Sequence, residues 1–259
     1  MIKAIFFDLD GTLLPLNEDE FIKKYFSLMS NHMKQYGYEE NKLIETIWKG
    51  TYAMMKNDGS KQNDEVFWDY FESVYGKDSI KDKSKFDVFY DNDFLKIKEV
   101  CKDNELASKI VKYCRENVEY VVLSTNPIFP YVGTKNRMGF VGLKPSDFDF
   151  VTAYDNFNYC KPNPKYFQTL LDKFNLKGEE VILFGNNTLE DGECSLACGI
   201  KCYLIRENLI VNPKSTHDFE VIEMEDIIPT IALNIAKNAW CNPNFTLKKL
   251  IIGGFDLII

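Results

Sequence analysis

The sequence predicts an α/β fold: a parallel sheet core with an α-helical unit inserted after its first strand. Three observations point there. Ile2 to Phe7 is apolar apart from Lys3 and ends in Asp8-Leu9-Asp10-Gly11-Thr12. The chain from 17 to 114 then carries helical apolar spacing and no strand signal. From Tyr120 onward, short apolar runs alternate with helical segments, the pattern of a parallel sheet with right-handed crossovers.

The first strand is short, β-branched and aromatic, as a buried strand should be. In the insert, Asn17 or Asp19 caps a helix whose apolar face runs Phe21, Ile22, Tyr25, Phe26 and Met29. A second helix is expected over Glu40 to Met55, with Leu43, Ile47, Tyr52 and Met55 apolar. A third fits Asp64 to Tyr75, where Phe67, Trp68, Phe71 and Val74 share a face. Lys77 to Lys85 reads as a polar connector, and Glu105 to Glu116 as a further helix. Strands are then expected at Tyr120–Leu123, Phe148–Ala153, Val181–Phe184, Lys201–Ile205 and Phe219–Ile222. Helices fit Pro164 to Phe174, Leu189 to Gly199 and Ile227 to Ala236, with Gly199 placed as a C-terminal cap. Two domains follow: residues 1–16 and 115–259 as a Rossmann-like core, and residues 17–114 as a helical cap. The tail after Asn238 is the least readable part. Asn242-Pro243-Asn244 reads as a turn, and Leu250 to Ile259 as an edge strand, a packing tail or an oligomer contact.

Composition narrows the function. The 259 residues are 45% hydrophobic and 27% charged, ordinary for a globular protein. A net charge of −8 argues against a nucleic-acid partner. Met1 leads directly into the first strand, so no secretory signal is expected and a cytoplasmic location follows. No apolar run is long enough for a membrane span; Gly253, Gly254 and Asp256 break the one near the C-terminus. The seven cysteines form no C-x-x-C pair and read as buried thiols. The only histidines, His32 and His217, belong to no Cys, Ser or acidic motif, which argues against a His-based triad or zinc site.

The chemistry-bearing residues follow the strands. Asp8 and Asp10 sit at i and i+2 beyond the first and point to one side of an extended chain. Alone they are either an acidic turn or a site for a cation and a phosphoryl group. Thr125 and Asn126 follow the second strand. Lys161 precedes Pro162-Asn163-Pro164 beyond the third, and Glu190 and Asp191 follow the fourth. Parallel sheets bind ligands beyond the carboxyl ends of their strands, so these groups should converge. They supply a nucleophile, a proton carrier, hydroxyl and N–H donors, a cation and carboxylates, the parts phosphoryl transfer needs.

On these motifs the sequence resembles the haloacid dehalogenase superfamily of phosphatases and related enzymes over residues 1–16 and 115–235. The resemblance implies that Asp8 is the nucleophile that forms an aspartyl-phosphate, and that Asp10 is the general acid and then the base. It implies Mg²⁺ held by the Asp8 carboxylate, the Asp10 backbone carbonyl and Asp191, with Thr125, Asn126 and Lys161 holding phosphate. Of Ser124 and Thr125, only one can point into the site, and Thr125 is favoured. The fourth motif departs from the pattern: Asn186 and Asn187 stand where the superfamily has an acid. The expected activity is Mg²⁺-dependent hydrolysis of a small phosphorylated metabolite beneath a helical cap. The alternatives are a phosphomutase and a non-catalytic interaction protein that keeps the fold.

Overall fold

The computed structural model describes residues 1–240, 250–252 and 255–257. Six parallel strands form one sheet: β1 (Ala4–Phe7), β2 (Tyr120–Leu123), β3 (Phe150–Val151), β4 (Val181–Gly185), β5 (Lys201–Ile205) and β6 (Glu220–Ile222). Their order is β3-β2-β1-β4-β5-β6. This is the Rossmann-like order, with its topological switch point beside β1.

β1 is central, and all four of its residues are fully buried, which explains its unbroken apolar run. Alternation sends Ile5 and Phe7 to one face and Ala4 and Phe6 to the other. On the second face they meet Tyr166, Phe167 and Leu170 of α7 (Lys165–Phe174). On the first face the core runs on into the insert.

The insert holds α1 (Glu18–Lys34), α2 (Glu40–Met55), α3 (Asn63–Tyr75), α4 (Lys83–Asp91) and a 3₁₀ stretch, Asp93–Val100. Asn17 caps α1 by accepting from Glu20 N at 3.1 Å. Aromatic rings fill its interior: Trp68 and Phe71 of α3 meet Phe86 of α4, Phe67 stacks on Phe71, and Tyr25 of α1 meets Phe89 and Phe94. The chain leaves and re-enters the sheet layer side by side. Leu16 bridges Cys101, and Lys102 N donates to Pro15 O at 2.9 Å. The next helix, α5 (Glu105–Asn117), packs against β2 and against α9 (Ile227–Trp240).

Several elements differ from the sequence reading. The polar connector is a 3₁₀ turn, Lys77–Asp82, running into α4, because Phe86, Phe89 and Tyr90 give that stretch a buried stripe. A helix, α6 (Tyr131–Phe140), fills the segment after Asn126. Gly133 and Gly139 weaken its helical signature. The third strand shrinks to two residues. The helix expected from Leu189 is a π-helix over Thr188–Glu193 followed by the short α8 (Cys194–Leu196), with Gly199 beyond it at φ +73°. In the tail, β7 (Leu250–Ile252) and β8 (Phe255–Leu257) pair antiparallel with each other, not with the main sheet. The turn read at Asn242-Pro243-Asn244 lies outside the described residues. Among the described residues no helix is long and apolar enough to cross a membrane.

Candidate active site

The chain turns sharply as it leaves β1. Asp8 N donates to Phe184 O of β4 at 2.9 Å, which ties the strand end to its neighbour. Thr12 N and Leu14 N both donate to Leu9 O, at 3.2 and 2.8 Å. Gly11 takes φ +78° within this turn, and a Cβ there would overlap the Asn186 side chain. Asp8 and Asp10 consequently line one cavity of about 300 Å³, together with Thr125, Asn126, Glu190 and Asp191.

β4 supplies the opposite side. It ends in Gly185, where a Cβ would collide with the Asp191 carboxyl group. The missing side chain lets that carboxylate fold back over the strand end. Its Oδ2 accepts from Asn186 N at 3.0 Å and Asn187 N at 3.1 Å. Asn187 itself caps the π-helix, its Oδ1 accepting from Leu189 N and Glu190 N at 3.0 and 3.2 Å. The Asn186 amide donates to Asn208 O at 2.9 Å and accepts from the Thr12 hydroxyl at 3.4 Å. Both amides in the position of the expected acid are thus engaged by the backbone or by a neighbouring side chain.

Lys161 joins the two halves. Its Nζ donates to Asp8 Oδ1 at 2.9 Å and Asp191 Oδ1 at 2.5 Å, and the residue is 1% exposed. Burial disfavours the ammonium charge, but Asp191 and Asp8 outweigh it, so Lys161 keeps its proton far above the ordinary lysine range. Burial also pushes the Asp8 carboxyl well up, and Lys161 opposes that push. Asn126 holds the backbone of this lysine, its Oδ1 accepting from Lys161 N at 3.2 Å. Its amide donates to Glu190 Oε2 at 2.9 Å. Thr125 lines the cavity, while the Ser124 hydroxyl turns away to donate to Phe7 O at 3.1 Å.

Two charged participants escaped the sequence reading. Arg137 of α6 is 1% exposed and donates to Asp10 Oδ2. Its guanidinium also reaches Gly133 O and Thr134 Oγ1, each at 3.3 Å, and lies 4.3 Å from the centre of the Phe129 ring. No motif marks it; it is one cation in a segment without a strong helical stripe. Asp10 Oδ1 is buried with no partner among the described residues. Glu18, exposed over much of its surface, turns its carboxyl toward the same cavity. Desolvation there, then the charges of Glu190, Asp10 and Asp191, push it up to about 7.

Asp8, Asp10, Glu18, Glu190 and Asp191 all line this cavity, and the cations bonded to them are Lys161 and Arg137. The site is short of positive charge and rich in hard oxygen donors, and this fits a cation such as Mg²⁺. Among the described residues no three His, Cys, Asp or Glu side chains converge on one point. The six described cysteines are unpaired thiols.

A parallel α/β sheet with acids beyond its central strands and a buried lysine between them is the framework of a hydrolase. The haloacid dehalogenase-like hydrolase family model matches residues 2–191, so the chain belongs to that family. It is 24% identical over 191 residues to the pyrophosphatase PpaX of Bacillus mycoides (strain KBAB4), a match spanning 72% of this chain and 75% of that protein. Among solved structures it resembles a 2-haloacid dehalogenase from Pseudomonas syringae pv. Tomato DC3000, with TM-score 0.60 and 16% identity over 90% of this chain and 99% of that one. An HAD phosphatase from Thermococcus onnurineus gives TM-score 0.54 and 17% identity over 89% and 98%. These structural likenesses concern the fold.

Proposed function

We propose that this hydrolase cleaves small phosphomonoesters through an aspartyl-phosphate on Asp8. The observation that carries this reading is the buried Lys161 bridging Asp8 and Asp191 at 2.9 and 2.5 Å, with Asp10 two residues further on at the same cavity. A lysine so placed neutralises the nucleophile and the entering phosphoryl oxygens together. A carboxylate oxygen of Asp8 attacks phosphorus, and the bond from phosphorus to the leaving oxygen breaks. Asp10 gives that oxygen its proton. Asp10 then takes a proton from water as the water oxygen attacks phosphorus, releasing phosphate and restoring Asp8. Thr125 and Asn126 orient the phosphoryl group from the end of β2.

Asp8, the Asp10 carbonyl and Asp191 are the proposed Mg²⁺ donors, with water completing the shell. When bound, the ion neutralises phosphoryl oxygen charge. Residues 17 to about 101 form the proposed cap, narrower than 17–114 because α5 packs on β2 and α9. Unpaired thiols suit the reducing cytoplasm.

Phosphate release from p-nitrophenyl phosphate with Mg²⁺ tests the assignment. Asp8→Asn should lose activity by several orders of magnitude while keeping the far-ultraviolet circular dichroism of the parent. Full activity in that variant would overturn the proposal.

A further inference from the structure

The cavity has two unlike ends. At one end stand the carboxylates. The rest is formed by the insert and the loop after β2, and includes Phe26 of α1, Trp48 of α2, Phe67 and Trp68 of α3, Tyr90 of α4 and Phe129. No lysine, arginine or histidine lines it at any point. The two cations nearest the chemistry, Lys161 and Arg137, lie behind the carboxylates they pair with, each 1% exposed. The Tyr25 and Tyr90 hydroxyls, which could have greeted a polar ligand, face each other at 3.0 Å.

This wall discriminates between leaving groups. A second phosphate, a sugar acid or a carboxylate would bring negative charge against aromatic surface and five acids, with no free cation to meet it. A sugar would lose water from several hydroxyls and find few partners on this wall, Thr51 and the unpaired Trp68 Nε1 among them. An uncharged apolar group would gain by leaving water, and a flat ring would gain further from edge and face contacts with the wall. The volume, about 300 Å³, lies at the small end of the range for ligand sites.

We propose that the preferred substrate is the monophosphate of a small, uncharged, apolar alcohol or phenol, with an aromatic ring favoured. Phosphorylated sugars, phosphocarboxylates and pyrophosphate are disfavoured. The inference rests on the phosphatase reading above: the phosphoryl group meets Asp8, and the apolar group lies among Phe26, Trp48 and Phe129.

The test is kcat/KM for phosphate release by the full chain with Mg²⁺, on a panel of phosphorylated compounds that differ in leaving group. The panel is 2-phenylethyl phosphate, phenyl phosphate, glucose 6-phosphate, phosphoglycolate, phosphocholine, pyrophosphate and acetyl phosphate. The aromatic esters should exceed the sugar phosphate, the phosphocarboxylate and pyrophosphate by at least tenfold. Phe26→Ala, at a half-buried position, should lower the ratio of kcat/KM for 2-phenylethyl phosphate to that for acetyl phosphate about tenfold. Equal or greater kcat/KM on glucose 6-phosphate, phosphoglycolate or pyrophosphate would overturn the inference and leave the phosphatase reading standing. A preference for phosphocholine would show that the aromatic wall selects a cation, which also overturns it. No phosphate released from any member would remove the phosphatase reading itself.

Discussion

Arg137→Met separates catalysis from scaffolding. The change keeps a long apolar stem but removes the only hydrogen-bond partner that Asp10's carboxylate has among the described residues, since Oδ1 is already without one. Breaking a fully buried ion pair costs about 3–5 kcal/mol. The Asp10 side chain is 25% exposed, so water recovers part of that, and a loss of about 2–3 kcal/mol is expected. For a chain of this size that is a fall in Tm of about 4–12 °C. The effect on rate is the sharper test. A proton donor is needed when the leaving oxygen is a poor one and hardly matters for nitrophenolate. Arg137 fixes Asp10 through Oδ2 and leaves Oδ1 to carry the proton. Arg137→Met should therefore lower kcat about 10²-fold for an alkyl phosphate and far less for p-nitrophenyl phosphate. In an Asp10→Asn background, the same substitution should add little further loss. Equal losses on both substrates, or additivity with Asp10→Asn, would refute the positioning role and leave Arg137 as a structural cation.

Three other outcomes follow from the geometry. Gly185→Ala should destabilise by about 1–3 kcal/mol, read in urea, and lower activity more than stability, because its Cβ occupies the place of the Asp191 carboxyl group. Asp191→Asn should raise the Mg²⁺ concentration for half-maximal phosphate release at least tenfold, and an unchanged value removes Asp191 from the ligand set. At Glu193, burial opposes ionisation. The N–H groups of Thr216 and His217, the His217 ring and Ser215 outweigh it and hold the carboxyl at about 2, below the ordinary 4.5. Its contribution to stability is thus complete above 4.5 and lost as pH falls toward 2, so Glu193→Gln should lower the urea midpoint at neutral pH and much less near about pH 3.

Much of this arrangement was legible because it follows from chain-local physics. The β1 run and the Asp-x-Asp step need only period two and burial, and β2 and β5 stand where their apolar runs place them. The α2 helix begins and ends at its expected residues because its stripe is long. What was not legible depends on tertiary contact. Arg137 gains its meaning only when α6 packs beneath Phe129 and Asp10. The π-helix at Thr188–Glu193 arises from the Asn187 cap and the pull of Asp191 on two backbone N–H groups, neither visible as periodicity. The α5 helix shows the same helical pattern as its predecessors, so its sequence does not separate it from the insert. Only its contacts reveal which layer it joins.

The two buried cations explain how so acidic a site can be built. Lys161 pairs with Asp8 and Asp191, and Arg137 pairs with Asp10. The pairs use different elements, α6 for one and the segment before α7 for the other, so the charge of each acid can be set separately. Both cations lie behind their acids, which leaves no cationic side chain lining the cavity. Phosphate and apolar leaving group then meet different surfaces. In the proposed reaction the phosphoryl oxygens would meet the positive charge that Lys161 offers between Asp8 and Asp191. The remainder of the ligand meets aromatic wall alone. Low polarity in that wall also strengthens each ion pair, because less water screens it. In the proposed reaction, selectivity against charged leaving groups and the positioning of Asp10 would therefore share one structural source: the confinement of positive charge to the rear of the site.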